Sequence, residues 1–230
     1  MKEWNLQEIE SSAVLSDQGI MAERDRGRII IEPFNERNVQ TSSYDVTLGE
    51  NYFVKQKIDS PILNMFDLET PRKIWGEPQI ATFAGRFFEG TSLELTTGIY
   101  DTDRVILVPP GELLLIHSEE FAGSVKGYTT LVRSKSTLER MGIGVAISAG
   151  FGDVGYFDRW TFALKNWHDD KTVPLVVGMT FAQIVFLKCT PTGRSYSDEG
   201  TYQASSDLKE VMRSWTPSRM LPRVIKEIRR

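Results

Sequence analysis

Residues 133–166 read RSKSTLERMGIGVAISAGFGDVGYFDRWTFALKN. Arg133, Ser134, Lys135, Ser136 and Thr137 set two cations and three hydroxyls at the entrance to a short helix expected over Leu138 to Met141. Hydroxyls and helix N-terminal N–H groups offer directional bonds and the cations supply charge, so the segment is a good anion cradle. A helix cap with exposed charges accounts for the same residues, and on spacing alone that plainer account is favoured. Further along, SAGFGDVGY places three glycines around Asp153, which suggests a tight turn presenting an acid on a rigid base. Asp and Gly are also the ordinary vocabulary of a hairpin turn. If cradle and turn belong to one site, the carboxylate is suited to orient and deprotonate a water for attack on phosphorus, with hydrated magnesium on the phosphates balancing the charge.

Outward from this stretch the sequence is a series of short runs rich in Val, Ile, Leu and Phe. RIIIEPF, SYDVTLG, NYFVKQ and DRVILVPPGELLLIH precede it, GVAISAG and WTFALKNW lie within or across its end, and VPLVVG and AQIVFLKC follow. Gly, Pro, Asp and Asn separate the runs, the pattern of a many-stranded β architecture. Before them, LQEIESSAVLSDQGIMAERDRG has helical spacing with Ser16 and Asp17 as caps. Residues 60–98 read as an irregular excursion over the sheet. The tail from Ser206 returns to helical spacing, and its basic end reads as a solvated helix face. One domain is expected over 1–230, with a helical segment at 1–27, a β core at 28–191 and a lid and helix at 192–230.

The 230 residues are 40% hydrophobic and 25% charged, the balance of a globular protein with a sizeable core. One cysteine, Cys189, excludes an internal disulfide, and with only two histidines it starves a metal site of soft or imidazole ligands. Zinc-dependent base deamination is excluded in particular, because it needs a pair of cysteine ligands and the chain has one cysteine. A formal net charge of −4 argues against a nucleic-acid groove. No run approaches the roughly 18 apolar residues of a membrane helix, and MKEWNLQEIE is too acidic for a signal peptide, so a cytoplasmic protein is expected. Cys189 reads as a small buried hydrophobe and His117 as an ordinary strand-end histidine.

Across roughly two thirds of the chain the motifs resemble the dCTP deaminase and dUTPase superfamily, its deaminase branch in particular. SSYDVTLG stands in the place of the family's S-S-x-D-x-x-L-G pattern, and VPPGELLLIHSEE resembles its P-P-G-E strand. RSKSTLERMGI is similar to the G-R-S-S-L-A-R-L-G phosphate motif, AGFGDVGYFDRWTFALKN to the A-G-x-I-D-x-G-[FWY] turn with its following strand, and GMTFAQIVF to the G-x-x-I-A-Q-L-x-F strand. The resemblance implies a mainly β, distorted β-barrel or jelly-roll-like fold of the β-clip type. It also implies a homotrimer with active sites at subunit boundaries, a deoxynucleoside triphosphate substrate, and Mg2+ carried by the triphosphate with no protein metal site. On the same ground Lys135, Ser136, Thr137 and Arg140 hold phosphates, Gln183 lies near them, and Asp153 contacts the deoxyribose or activates the attacking water. Tyr156 packs on the sugar and disfavours a ribose 2′-OH. Asp45 matches the acid of the first motif, with a partly structural role, and Tyr196, Thr201, Tyr202 and Gln203 loosely echo the deaminase lid.

The chain departs from the pattern where deamination needs it most. Aligned on Asn166, the family's general acid–base glutamate falls at Ala163, and a methyl group cannot shuttle a proton. General base catalysis is worth about 10²–10⁴-fold, so deamination is disfavoured unless an acid from elsewhere, such as Asp158, reaches the base pocket. Lys135 gives up an arginine fork for a point charge, and Gly152 replaces a bulky apolar residue before the acid. The favoured reading is a dUTPase-like pyrophosphohydrolase. The alternatives are a dCTP deaminase using another acid and a non-catalytic nucleotide-binding regulator. Trp160 and Trp167 flank the strand that lines the base pocket, and a pocket altered at Ala163 leaves room for a modified pyrimidine.

Overall fold

A computed structural model describes residues 12–89, 98–145, 150–203 and 205–223. Ser16 caps the first helix, α1 (Asp17–Asp25): its backbone is extended and its side chain accepts from the Gly19 N–H, satisfying a donor that a helix start leaves orphaned. Ile20 and Ala22 face the core. Glu23 is buried beside them, its carboxylate met by Arg26 at 2.7 Å and Arg28 at 3.3 Å. The expected helix before residue 12 lies outside the described residues.

The strand period then sets in with β1 (Ile29–Glu32), β2 (Tyr44–Thr47) and β3 (Asn51–Val54). The excursion at 60–98 has structure of its own: α2 (Thr70–Trp75), β4 (Gln79–Ile80), β5 (Thr82–Phe83) and α3 (Ala84–Phe88), with 90–97 outside the described residues. The run at 103–117 divides into β6 (Arg104–Val108) and β7 (Leu113–Ser124), because Pro109 and Pro110 have no N–H to give a ladder. After β8 (Tyr128–Ser134) comes α4 (Ser136–Arg140), which starts two residues earlier than its spacing suggests. Lys135 serves as the extended cap residue there, and its carbonyl accepts from Leu138 at 3.0 Å. The remaining elements are β9 (Ile143–Val145), β10 (Phe151–Gly152), β11 (Phe157–Asn166), β12 (Val173–Val176), β13 (Thr180–Lys188), α5 (Tyr196–Glu199) and α6 (Leu208–Ser214). A 3₁₀ turn, Pro217–Met220, follows α6. The end of the expected tail helix, 224–230, lies outside the described residues.

Among the described residues the strands form three antiparallel sheets, ordered β4-β3-β7-β11-β9 with β1 also on β7, β10-β8-β13-β2, and β12-β6-β5. The main core lies between the first two. Leu114 and Ile116 of β7 and Phe162 and Leu164 of β11 pack there with Tyr44, Val46, Val132, Ile184 and Phe186, each such side chain contributing roughly 1.5–3 kcal/mol by its burial.

Strand β11 sets up the site. Its alternating burial sends Trp160, Phe162 and Leu164 into the main core and leaves Thr161 and Ala163 on the other face. That face is covered by a second cluster, Phe53, Trp75, Leu115 and Met220, against which Ala163 and Trp215 pack. The β11–β7 register shifts between Arg159 and Thr161, so Thr161 opposes His117 while Arg159 opposes Phe121. Such an irregularity bends a strand and re-aims its side chains.

Two expectations need correction. His117 is no strand-end residue: it sits mid-way along β7, fully buried, with its ring 4.8 Å from that of Trp215. Its Nδ1–H donates to the Ser118 carbonyl at 2.8 Å and its Nε2 accepts from the Asn51 N–H at 3.3 Å. Burial lowers its pKa to about 4, so it is held neutral as part of the fold. Cys189 is only half-buried, because β13 ends at Lys188 and its next residues turn outward beside the Asp153 turn.

Candidate active site

The turn that carries Asp153 is tied from three sides. Tyr156 N–H donates to the Asp153 carbonyl at 3.0 Å and closes it. From the end of β7, the Ser124 carbonyl accepts from Gly155 at 3.1 Å and the Ser124 N–H donates to Tyr156 at 3.0 Å. From the lid side, Tyr196 N–H donates to the Val154 carbonyl at 2.9 Å. Gly155 permits this approach: its φ is 95°, and a Cβ there would stand 1.9 Å from the Ser195 hydroxyl. Glycine at 152 has a different cause. A Cβ on Gly152 would meet the Thr130 hydroxyl at 2.3 Å and the Trp160 ring at 2.7 Å, so the Trp160 indole leaves no room for a side chain there.

Gln203 extends the tie to the tail. It is 1% exposed, accepts from the Phe157 N–H at 2.7 Å, and donates to the Gly155 and Ser205 carbonyls at 3.0 Å each. Arg219 adds a second link, donating at 2.7 Å both to the Asp158 carboxylate and to the Tyr202 carbonyl. Tyr156 sits among these ties, edge-on to Trp160 at 5.1 Å and to Tyr196 at 5.2 Å. Burial, with the nearby Asp158 charge second, raises its phenol far above the ordinary range. Tyr202 donates its N–H to the Tyr196 hydroxyl at 3.2 Å. Thus the fold brings Asp153, Tyr156, Tyr196, Thr201, Tyr202 and Gln203 together.

Asp153 is exposed, its carboxylate has no hydrogen-bond or ion-pair partner among the described residues, and it borders two cavities. One, of about 580 Å³, is walled by the polar loop Thr192–Ser195 with Thr129 and Cys189. The other, of about 530 Å³, runs past Tyr156, Asp158 and Arg219 to Thr161, Ala163, Leu115, Trp75 and Met220. Asp158 is 3% exposed, and burial raises its carboxyl to about 6 against the opposing pull of Arg219. It lies five residues before Ala163 on one strand, across the register shift, and the acid expected as a stand-in for a carboxylate at 163 borders the same cavity that Ala163 lines. Trp160 borders this cavity, whereas Trp167 is 61% exposed and outside it.

The second group of expected residues collects elsewhere. Lys135 Nζ is paired with the carboxylate of Asp45, which is buried and whose other oxygen has no hydrogen-bond partner among the described residues. Gln183 lies opposite Asp45 on one neighbouring strand and opposite Arg133 on the other. Ser136, Thr137 and Arg140 are exposed along α4. Neither cavity beside Asp153 is lined by any of these residues. Gly152 pairs with Thr130 on β8, and Lys135 is five residues further along, about 16 Å of extended chain at about 3.3 Å per residue. Within one chain the acid and the phosphate cradle stay apart.

Sequence reasoning missed Trp75, Trp215, Arg219 and Met220, which build the far wall and the latch of the second cavity. Local spacing holds no sign of them; the one available hint is the aromatic and basic content of an excursion and a tail flanking an otherwise regular β core.

The class of protein is set by a mainly β, antiparallel fold with an acid turn beside a deep cavity and a separate cationic helix entrance. Residues 14–189 match the family described as dCTP deaminase-like, and the chain belongs to that family. It is 28% identical over 191 residues to the "dCTP deaminase, dUMP-forming" of Methanosphaera stadtmanae, covering 81% of this chain and 85% of the relative. To the protein of the same name from Halobacterium salinarum it is 29% identical over 189 residues, covering 81% and 86%. Among solved structures, the 2′-deoxycytidine 5′-triphosphate deaminase from Agrobacterium tumefaciens matches with a TM-score of 0.51 and 16% identity, over 77% of this chain. The match spans 48% of that longer chain, and the likeness is one of fold.

Proposed function

We propose that the protein converts a pyrimidine deoxynucleoside triphosphate to its monophosphate and pyrophosphate. The observation that carries this is the Asp153 carboxylate, exposed and without a partner among the described residues, on a turn held from three sides beside a cavity large enough for a nucleoside. Asp153 takes a proton from water as the water oxygen bonds to the α-phosphorus; the bond to the bridging oxygen breaks and pyrophosphate leaves. Lys135, Ser136, Thr137, Arg140 and Gln183 stabilise the charge developing on the phosphates. Because one chain keeps them away from Asp153, the proposal includes a homotrimer in which one subunit's cradle faces another's acid turn. Magnesium suits phosphate oxygens and would arrive on the triphosphate, balancing its charge. Tyr156 packs on the deoxyribose, and the cytoplasm is the proposed location.

Two considerations divide the choice of base. The relatives' names favour dCTP, whose conversion to dUMP also requires loss of the amino group as ammonia. The geometry favours dUTP in that Ala163 presents a methyl group within an apolar cluster, while Asp158, lining the same cavity with its carboxyl raised by burial to about 6, is the acid the second reading would draw on. Hydrolysis is the step the geometry supports, and deamination is the second reading. Incubation of the full chain with Mg2+ and either nucleotide, with products resolved by anion exchange, separates them. The expected result is dUMP from dUTP and dCMP from dCTP. Formation of dUMP or dUTP from dCTP establishes the deaminase instead, and binding without any product establishes a nucleotide-binding regulator.

A further inference from the structure

The cavity beside Tyr156 is of mixed character. The exposed Asp153 and the Asp158–Arg219 pair line it, and so does a cluster of Trp75, Leu115 and Met220 that is buried around Ala163. Among the described residues the carboxylates that line it are Asp153 and Asp158, and neither belongs to that cluster. Two segments build the cluster's outer wall, and both lie outside the acid turn and the phosphate motif: α2 delivers Trp75 and the 3₁₀ turn after α6 delivers Met220. Their side chains pack onto the face of β11 from which a longer residue at 163 would project.

On the reading that Asp153 and Tyr156 hold the sugar, the base extends toward Ala163. Its C4–C5 edge then meets methyl, thioether and indole surface. An unsubstituted edge leaves part of that surface without contact, whereas an apolar substituent fills it. We infer that this site prefers a pyrimidine deoxynucleotide carrying a small apolar group on the C4–C5 edge of its base, with Ala163 as the residue that makes the room. The inference rests on the proposed function, since it assigns the base end of that same site. A single added methyl in a fitted apolar pocket discriminates by about tenfold or more.

The test is kcat/KM of the full chain with Mg2+ for two matched pairs, dTTP against dUTP and 5-methyl-dCTP against dCTP. The expected result is a preference for the methylated member of each pair by about tenfold. Ala163→Leu pushes a larger side chain into the space and is expected to bring both ratios below one. Since overpacking at 163 can compromise folding, Met220→Phe narrows the same space from the opposite wall and is expected to lower both ratios. Turnover of dUTP with equal or poorer use of the methylated members overturns the inference and leaves the proposed function standing. Ratios that favour methyl but move with neither variant also overturn it, by placing the methyl elsewhere. Absence of binding and turnover with all four nucleotides removes the proposed function, and the inference with it.

Discussion

The Asp153 turn and the Lys135 cradle are unequal halves of one candidate site. The turn is finished within a single chain: Ser124, Tyr196 and Gln203 hold its backbone, and Arg219 fastens the tail beside it. The cradle has a five-residue helix, exposed Ser136, Thr137 and Arg140, and one cation tied to Asp45. The difference teaches a division of labour. On the proposed function, the group that must point at a reacting atom is preorganised by hydrogen bonds made on folding. The groups proposed to answer diffuse negative charge are exposed at Ser136, Thr137 and Arg140, where a substrate or a second subunit would complete them. Substitutions in the turn should then act on chemistry or on the fold, and substitutions of the exposed cradle residues on affinity alone.

The sharpest test of that division is Asp153→Asn. It is isosteric and meets no partner whose loss would strain the turn, so the melting temperature should stay within a degree or two. Pyrophosphate release from dUTP should fall by about 10²–10⁴-fold while nucleotide binding, followed by calorimetry, is retained. A loss of binding equal to the loss of rate would move Asp153 from the chemistry to the cradle. Gln203→Ala should act in the opposite way. It strips three hydrogen bonds and leaves the Phe157 N–H and the Gly155 carbonyl facing a buried gap, a cost of about 2–4 kcal/mol, measured as a shift in the denaturant midpoint.

The turn region also contains a pH compensation. His117 has a pKa lowered to about 4 in the fold, so the unfolded chain binds the extra proton between that value and 6.5, and stability falls as the pH drops through the window. Asp158 has a pKa raised to about 6 from 3.8; here the folded chain binds the extra proton, and stability rises as the pH drops through nearly the same window. Both shifts come from burial, and their slopes oppose. Asp158→Asn removes one of them. The variant should lose stability on going from pH 6 to pH 4.5 more steeply than the parent, by about 1.4 kcal/mol per pH unit, with urea midpoints at several pH values as the measure. Parallel curves would show that Arg219 keeps Asp158 ionised throughout.

How much of this was legible in the sequence follows the range of the interactions. Strands β1 to β3, β6, β7, β9 and β11 to β13 announce themselves through short Val, Ile and Phe runs between turn residues, because the pattern is local, whereas β8, with its threonines, and the two-residue β10 do not. The cradle and the Asp153 turn were readable as motifs for the same reason. Gln203 reaches Phe157 across 46 residues and Arg219 reaches Asp158 across 61, and no local pattern encodes a closure of that length. The departure at Gly152 shows the same limit: it looks like a loss beside the acid until Trp160, eight residues on, is seen filling the space. Trp75 lay hidden in an excursion whose period was too irregular to assign.

Arg140→Ala makes the smallest expected change and tests the other half of the comparison. Arg140 is exposed in the last turn of α4, so truncating it should leave the melting temperature unchanged. A charge-assisted hydrogen bond to phosphate is worth about 1.5–3 kcal/mol, so the dissociation constant for a non-hydrolysable dUTP analogue should rise about tenfold or more. Lys135→Ala is the informative control, because it weakens binding and also leaves Asp45 buried without its cation, which should lower the melting temperature as well. If Arg140→Ala destabilises as Lys135→Ala does, the cradle is part of the folded scaffold and the division between the two halves is lost. If neither variant weakens binding, the phosphates are held elsewhere, and the polar loop at Thr192–Ser195 beside Asp153 becomes the place to look.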